Sequence, residues 1–390
     1  MLKKERLFTP GPTPLHPRVQ EALSRPIPHH RSEAFRRLFR DCRAGLQKFL
    51  KTSHDALILT CSGSGAMEAS VVNTVGPGES MLALVAGHFG ERWAAIGRAH
   101  QREVRVLEAD WGEAVAPEEV ARALDRDPAI RAVFVQLSES STGARHDVQA
   151  LARVTRERPG TLLVVDAISG AGAMPLETEA WGVDLVVVGS QKALSLPPGL
   201  AFVGVSPKAW AQVERCGSPR FYFDLSRERK GQEGGDSAFT PGIAHVVALG
   251  AALDVLDSLG GVDGLVANAA TLAAMTRAAA GALGLPLLSP RHAGDALTAL
   301  RGPEGIEAGA IVKSLKTEFA ATVAGGQGRL AGKILRIAHL GHYDAIDILG
   351  LLGALEVALA RLGHRFELGV GVAAAQAEYV RRTGEPAFRA

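Results

Sequence analysis

The chain has 390 residues, and its 43 lysines and arginines stand against 41 aspartates and glutamates, a formal net charge of +2. A chain of that length builds a large core without a disulfide or structural metal, and its near-neutral balance lacks the basic footprint of a nucleic-acid or acidic-membrane binder. Its cysteines, Cys42, Cys61 and Cys216, are too few and too widely spaced for a disulfide framework or a zinc knuckle, which fits a reducing, cytoplasmic setting.

The amino end, MLKKERLFTPGPTP, is basic and then proline-rich, with no apolar stretch or cleavage site of a signal peptide, so residues 1–15 read as an arm. Apolar runs follow at 56–60, 81–85, 132–136, 161–165, 184–188 and 201–205. Segments such as 117–124, apolar on one side and charged on the other, suit covering helices. This alternation predicts an α/β fold whose large domain, residues 16–242, has a mostly parallel central sheet flanked by helices. The spacing of Val246, Val247, Leu249, Leu253 and Leu256 predicts one long helix ended by Gly260 and Gly261, so that 243–261 joins the domains. Residues 262–390 read as a smaller C-terminal α+β domain. No run reaches the ~18 uninterrupted apolar residues of a membrane span, and the ending AFRA is not a peroxisomal address.

Three features carry chemistry. In VVVGSQKALSLPPG, residues 186–199, a lysine stands just past a strand whose valines mark it as buried on both faces. Lost hydration there lowers the pKa of Lys192, and a neutral amine condenses with a carbonyl, although a solvated loop lysine also satisfies the pattern. The run TCSGSGAMEAS at 60–70 puts glycines and serines before a helix predicted to begin at Ala66, a place for a phosphate. Glu68 occupies the third position of a dinucleotide fingerprint and no Gly-Lys-Ser/Thr follows, so this is neither that motif nor a Walker loop. Asp166 ends LLVVD, where open α/β sheets bind ligands; it either caps the next segment or holds a pyridinium nitrogen protonated. Phosphate cradle, carboxylate and lysine together describe pyridoxal 5′-phosphate, with no metal called for. Arg336, in the apolar run KILRIAHLG, needs an anion, whether an internal carboxylate or a ligand.

In their order and spacing, TPGPTP at 9–14, SGSGAMEA at 62–69, GHFGERW at 87–93, ESSTG at 139–143, VVDAIS at 164–169, GSQKAL at 189–194 with PPG at 197–199, and LRIAHLG at 335–341 resemble the class V aminotransferases of fold type I. Within them the pattern is similar to the alanine–glyoxylate and serine–pyruvate enzymes. The resemblance implies that Lys192 holds the cofactor's aldehyde and that Asp166 binds its pyridine nitrogen. Ser62, Gly63, Ser64 and Gln191 meet its phosphate. It further implies that Phe89, where several relatives carry tryptophan, and Ile168 cover the two ring faces, with Ser140 near the ring hydroxyl. Such sites are shared across a homodimer, and Thr240 of SAFTPG is the residue expected to cross to the neighbour's phosphate. Ser237 departs from relatives that have an aromatic residue there. Arg336 becomes the clamp for the substrate α-carboxylate, and Gly11 approaches the substrate from above.

The implied activity is a ping-pong transaminase with Lys192 as general base and acid, moving an amino group from a small L-amino acid to a 2-oxo acid. Alanine or serine stands ahead of aspartate as donor, with glyoxylate or pyruvate as acceptor. The cluster His29, His30 and Arg31 is either a solvated loop or a distal-carboxylate site. Two other readings stay open: another fold type I enzyme, such as a lyase or a cysteine desulfurase, and a cofactor-binding protein without turnover. A desulfurase would want histidines where Phe89 and Gln191 stand. A regulatory protein would want a DNA-binding module, for which the chain has no spare ~60 residues.

Overall fold

The structure, a computed structural model, describes residues 3–384; the closing AFRA lies outside the described residues. Its main sheet has seven strands in the spatial order Asp55–Leu59, Ala201–Val205, Leu185–Gly189, Leu162–Asp166, Ile130–Gln136, Ser80–Val85 and Glu103–Glu108. Neighbours are parallel throughout except that Ala201–Val205 runs antiparallel to both of its partners. Side chains alternate across a strand, so Leu163, Val165, Val186 and Val188 enter one core while Leu162, Val164, Leu185 and Val187 enter the other. A strand that must satisfy two cores reads as a continuous apolar run, which is why the sequence displayed these strands plainly.

The outermost strand, Glu103–Glu108, escaped that reading. It has a single neighbour and alternates exposed charge with half-buried valine, so no apolar run announces it. A second correction concerns the helix after the first strand of the sheet. It begins at Gly63 rather than Ala66, with Ser62 at its N-cap position. Glycine here serves packing rather than helix breaking, because a Cβ on Gly63 would stand 2.5 Å from Ile168 Cδ1.

The helix Ile243–Ser258 buries Val246, Leu249, Leu253 and Leu256 in the core of the main sheet. It turns through Gly260 and Gly261, at φ 83° and 71°, into the helix Gly261–Ala282, bent from it by 74°. That second helix buries Ala269, Leu272, Met275 and Ala279 in a separate cluster with a four-stranded sheet. Among the described residues no single helix is long and apolar enough to cross a membrane. The smaller sheet has the order Arg6–Phe8, Ala321–Gly325, Ile334–Ala338 and Leu297–Arg301. Residues 6–8, read from sequence as part of a structureless arm, are therefore a strand, parallel to Ala321–Val323. Docking this edge carries the adjoining TPGPTP segment across to the main sheet.

Candidate active site

The lysine loop is built from the sheet outward. Ser190, directly after the strand Leu185–Gly189, is fully buried and ties the loop shut. Its amide donates to Leu200 O at 3.0 Å and its hydroxyl to Pro197 O at 2.7 Å, while accepting from Leu200 N at 3.2 Å. Lys192 is thereby held past the sheet edge, where the amino-terminal segment straps it down. Thr13 donates from its amide to Gln191 O at 3.2 Å and from its hydroxyl to Lys192 O at 2.9 Å, and Lys192 Nζ donates to Pro10 O at 2.5 Å. Gly11, at φ 144°, is required by that closeness: a Cβ there would lie 2.3 Å from Nζ. Burial lowers the lysine to about 8 from its usual 10.5; the Asp166 charge opposes the shift, and Arg336 and Arg92 add to it.

Asp166, the last residue of its strand, sits beside Val187, midway along the neighbouring parallel strand. Its Oδ1 accepts from Ile168 N at 2.8 Å, so it does cap the next turn. Burial nevertheless raises it to about 7, against the pull of that bond and of Arg92 and Lys192. A carboxyl so placed gains from a fixed cation, and a protonated ring nitrogen supplies one.

These groups line one cavity of about 110 Å³, together with Ser62, Gly63, Ser64, Phe89, Ser140, Ile168 and Gln191. Every expected cofactor contact except Thr240 is therefore gathered in one place. The cavity also holds Arg92, Ser138 and Ser169, which sequence reasoning missed. Two of its polar atoms, Ser138 Oγ and Gln191 Oε1, are buried without a protein partner. Orphaned polar atoms facing a helix N-terminus suit the phosphate, hydroxyl and ring of pyridoxal phosphate, so the residues fit that group.

A buried carboxylate organises the aromatic side. Glu139 is fully buried and accepts from Phe89 N at 3.1 Å, Gly90 N at 3.0 Å, and Ser141 N and Oγ at 3.2 and 2.6 Å. Burial pushes it upward while these donors pull it down. It caps the helix His88–Ala99 and fixes Phe89 relative to Ser140. Arg336, 6% exposed, donates from Nη1 to Ser140 O at 2.6 Å and from Nε to Gly325 O at 3.0 Å. Among the described residues no carboxylate lies within 4 Å of it, although the charge of buried Glu139 acts on it from farther away and opposes the lowering by burial. Arg336 stands behind Ser140 rather than in the cavity lining, and burial lowers it to about 10.

Thr240 is exposed and lies apart, at a small cleft with Tyr222, Glu228 and Ser237. Ser237 turns its hydroxyl onto Phe239 O. His29, His30 and Arg31 form a loop whose imidazole rings lie 4.8 Å apart, outside the cavity. Larger clefts, of about 430 and 570 Å³, open beside His342 and Tyr343, but neither contains Lys192 or Asp166. Lys192 and Asp166 both line the smaller one.

Residues 16–330 match the model of the family described as Aminotransferase class-V. The chain is 38% identical to a soluble hydrogenase small subunit of Synechococcus over 96% of its own length and 98% of the relative. It is 35% identical to an L-aspartate–glyoxylate aminotransferase of Paracoccus denitrificans, covering 98% of each. Among solved structures it resembles an aspartate aminotransferase of subgroup IV from Thermus thermophilus, at TM-score 0.85 and 37% identity, over 92% of this chain and 99% of that one.

Proposed function

Because the chain belongs to the class V aminotransferase family, a family of pyridoxal-phosphate-dependent fold type I enzymes, we propose that the cavity around Lys192 and Asp166 is its transamination site. Aminotransferases act on amino and 2-oxo acids. The observation that carries the assignment of residues is the pairing of a lysine amine brought down to about 8 with a carboxyl brought up to about 7 in one buried cleft.

Pyridoxal phosphate, when bound, supplies an electron sink for the bonds at the amino acid's α-carbon. The remaining work belongs to the chain. Ser62, Gly63, Ser64 and Gln191, all lining the cavity, would hold the phosphate, Phe89 and Ile168 would enclose the ring, and Ser140 would meet its hydroxyl. Asp166 would keep the ring nitrogen protonated. Lys192 Nζ, directed by Pro10 O, would take the proton from the substrate α-carbon as base and deliver it as acid to the cofactor's aldehyde-derived carbon, the reverse transfer serving the second half of a ping-pong cycle. Arg336, its Nε and Nη1 already engaged, presents Nη2 to the α-carboxylate. Gly11, with no Cβ to collide with Nζ, would approach the substrate from above.

Residues 16–242 make the cofactor domain in this reading, 243–261 the joining helix, and 262 onward the small domain. The assembly is a cytoplasmic homodimer with shared sites. Exposed Thr240, beside the exposed rings of Phe221 and Tyr222, supports a contact to a neighbouring copy, and the unpaired thiols of Cys42, Cys61 and Cys216 support a reducing compartment. Glyoxylate is the acceptor we favour, and the donor is alanine, serine or aspartate, the last gaining weight from the names of the Paracoccus and Thermus relatives. Mixing the cofactor-loaded protein with each amino acid singly, and following loss of the visible absorption band, tests this. Bleaching by one of these three and recovery on adding glyoxylate is the expected result; a band that none of them changes sinks the reading.

A further inference from the structure

The phosphate contacts in the proposed site are all neutral: serine, glycine and glutamine, with threonine from a neighbour. A phosphate monoester carries roughly −1.5 to −2 charges near neutral pH, and one helix N-terminus offsets only about half a charge. Lys192 is occupied with the aldehyde end. Arg92 is the other basic side chain lining the cavity. It lies one turn beyond Phe89 on the helix His88–Ala99, so both side chains project from one face. Its Nη1 donates to Ser64 Oγ at 2.9 Å, and its Cζ packs 4.8 Å from the centre of the Phe89 ring. Among the described residues no carboxylate lies within 4 Å of it, so a half-buried guanidinium faces the cavity with a hydroxyl and a ring for company.

We propose that Arg92 is the cationic ligand of the cofactor's phosphate, held over the first turn of the helix Gly63–Thr74 by Ser64 and Phe89. This rests on the transaminase reading and deepens it. The chemistry has two consequences. A planar guanidinium gives two parallel donors to phosphate oxygens, where an ammonium gives one point contact. Its place on the helix that carries Phe89 also ties phosphate binding to the position of the stacking ring. The rival occupant for the same charge is the distal carboxylate of a dicarboxylic donor such as aspartate. The bond to Ser64, a residue of the phosphate turn itself, favours the phosphate.

The test is a titration of cofactor-free protein with pyridoxal 5′-phosphate and, separately, with pyridoxal, which lacks the phosphate, read by absorbance and by tryptophan fluorescence. For Arg92→Met the apparent Kd for pyridoxal phosphate rises at least about tenfold, the scale of a lost charged hydrogen bond, while the Kd for pyridoxal stays within about threefold of wild type. Arg92→Lys recovers part of the difference. Should Arg92→Met not fold, the Lys variant against wild type carries the same comparison. The proposal is overturned if both variants bind the two ligands as wild type does, or if they lose pyridoxal as severely as pyridoxal phosphate. It is also overturned if cofactor affinity is unchanged and only the KM for aspartate rises. Failure of the underlying reading looks different, since wild-type protein would then bind neither ligand.

Discussion

Lys192, partly buried, and Arg336, buried, are two cations treated in opposite ways by the same fold. Each is held by backbone carbonyls, Lys192 by Pro10 O and Arg336 by Ser140 O and Gly325 O, and neither has a carboxylate within 4 Å among the described residues. Burial moves both downward, yet from different heights. The amine reaches about 8, where loss of its proton near neutral pH is within reach, whereas the guanidinium stops at about 10 and stays charged. In the proposed reading the amine is suited to carry a proton and the guanidinium to hold an anion, and the choice of side chain decides which.

The largest expected effect comes from removing the carrier. Lys192→Ala should lower kcat by at least about 10³-fold, since a positioned acid–base group alone is worth 10²–10⁴, while the protein still takes up cofactor as judged by its absorbance. Near-normal turnover would mean that the two cations do not divide the labour as described. The clamp is next. Arg336→Lys keeps the charge but loses the fixed guanidinium that presents Nη2, and kcat/KM should fall by roughly 2–3 kcal/mol of transition-state stabilisation, the scale of a charged hydrogen bond, for every amino donor alike. One carbonyl, on Ser140 or Gly325, then goes unpaired, so thermal unfolding should register a further cost of about 1–2 kcal/mol. Normal kcat/KM with that stability loss would make Arg336 purely architectural.

A smaller effect belongs to Asp166→Asn. An amide keeps the bond from Ile168 N but gives no negative charge to a ring nitrogen. Proton transfer should slow by about 10–100-fold, less than the 10²–10⁴ of a group that itself moves the proton, with cofactor still bound. Single-turnover rates with a bleaching donor measure it, and unchanged rates would leave Asp166 as no more than a cap.

The range of the contacts decides which features the sequence displayed and which it hid. Lys192 and Asp166 were legible because each closes an apolar run, and a charge at the end of a doubly buried strand is costly unless a partner or a reaction uses it. Arg92 was not. A charged residue every few positions along a helix is the ordinary pattern of a solvated face, and only the approach of Ser64, 28 residues away, turns this one inward. Glu139 was read as a motif letter rather than a group, because its partners lie on the helix His88–Ala99, 49 and 50 residues earlier. The strand Arg6–Phe8 owes its existence to Ala321–Val323, which no local propensity in a proline-rich segment foretells. The contact proposed for Thr240 needs a second chain, beyond what one chain's own packing displays.

The last and smallest effect separates the two buried titrations by their sign. In the cofactor-free protein, Asp166 has its pKa raised from 3.8 to about 7, so between these values the folded state holds a proton that the unfolded state has released. Stability from this group is therefore present at low pH and lost as pH climbs toward 7. Lys192, lowered from 10.5 to about 8, does the reverse on the alkaline side: between 8 and 10.5 the unfolded chain holds the extra proton, and stability rises with pH. Each branch has a limiting slope of about 1.4 kcal/mol per pH unit. Other groups titrate too, so the informative quantity is the difference between wild type and variant in denaturant unfolding across about pH 4–10, the span of both branches. Asp166→Asn should flatten the acid branch alone and Lys192→Met the alkaline branch alone. Cofactor, by placing a ring cation against Asp166, should flatten the acid branch in wild type as well. If the two substitutions change the same branch, or neither, the pair is solvated in the folded protein and the contrast between Lys192 and Arg336 loses its basis.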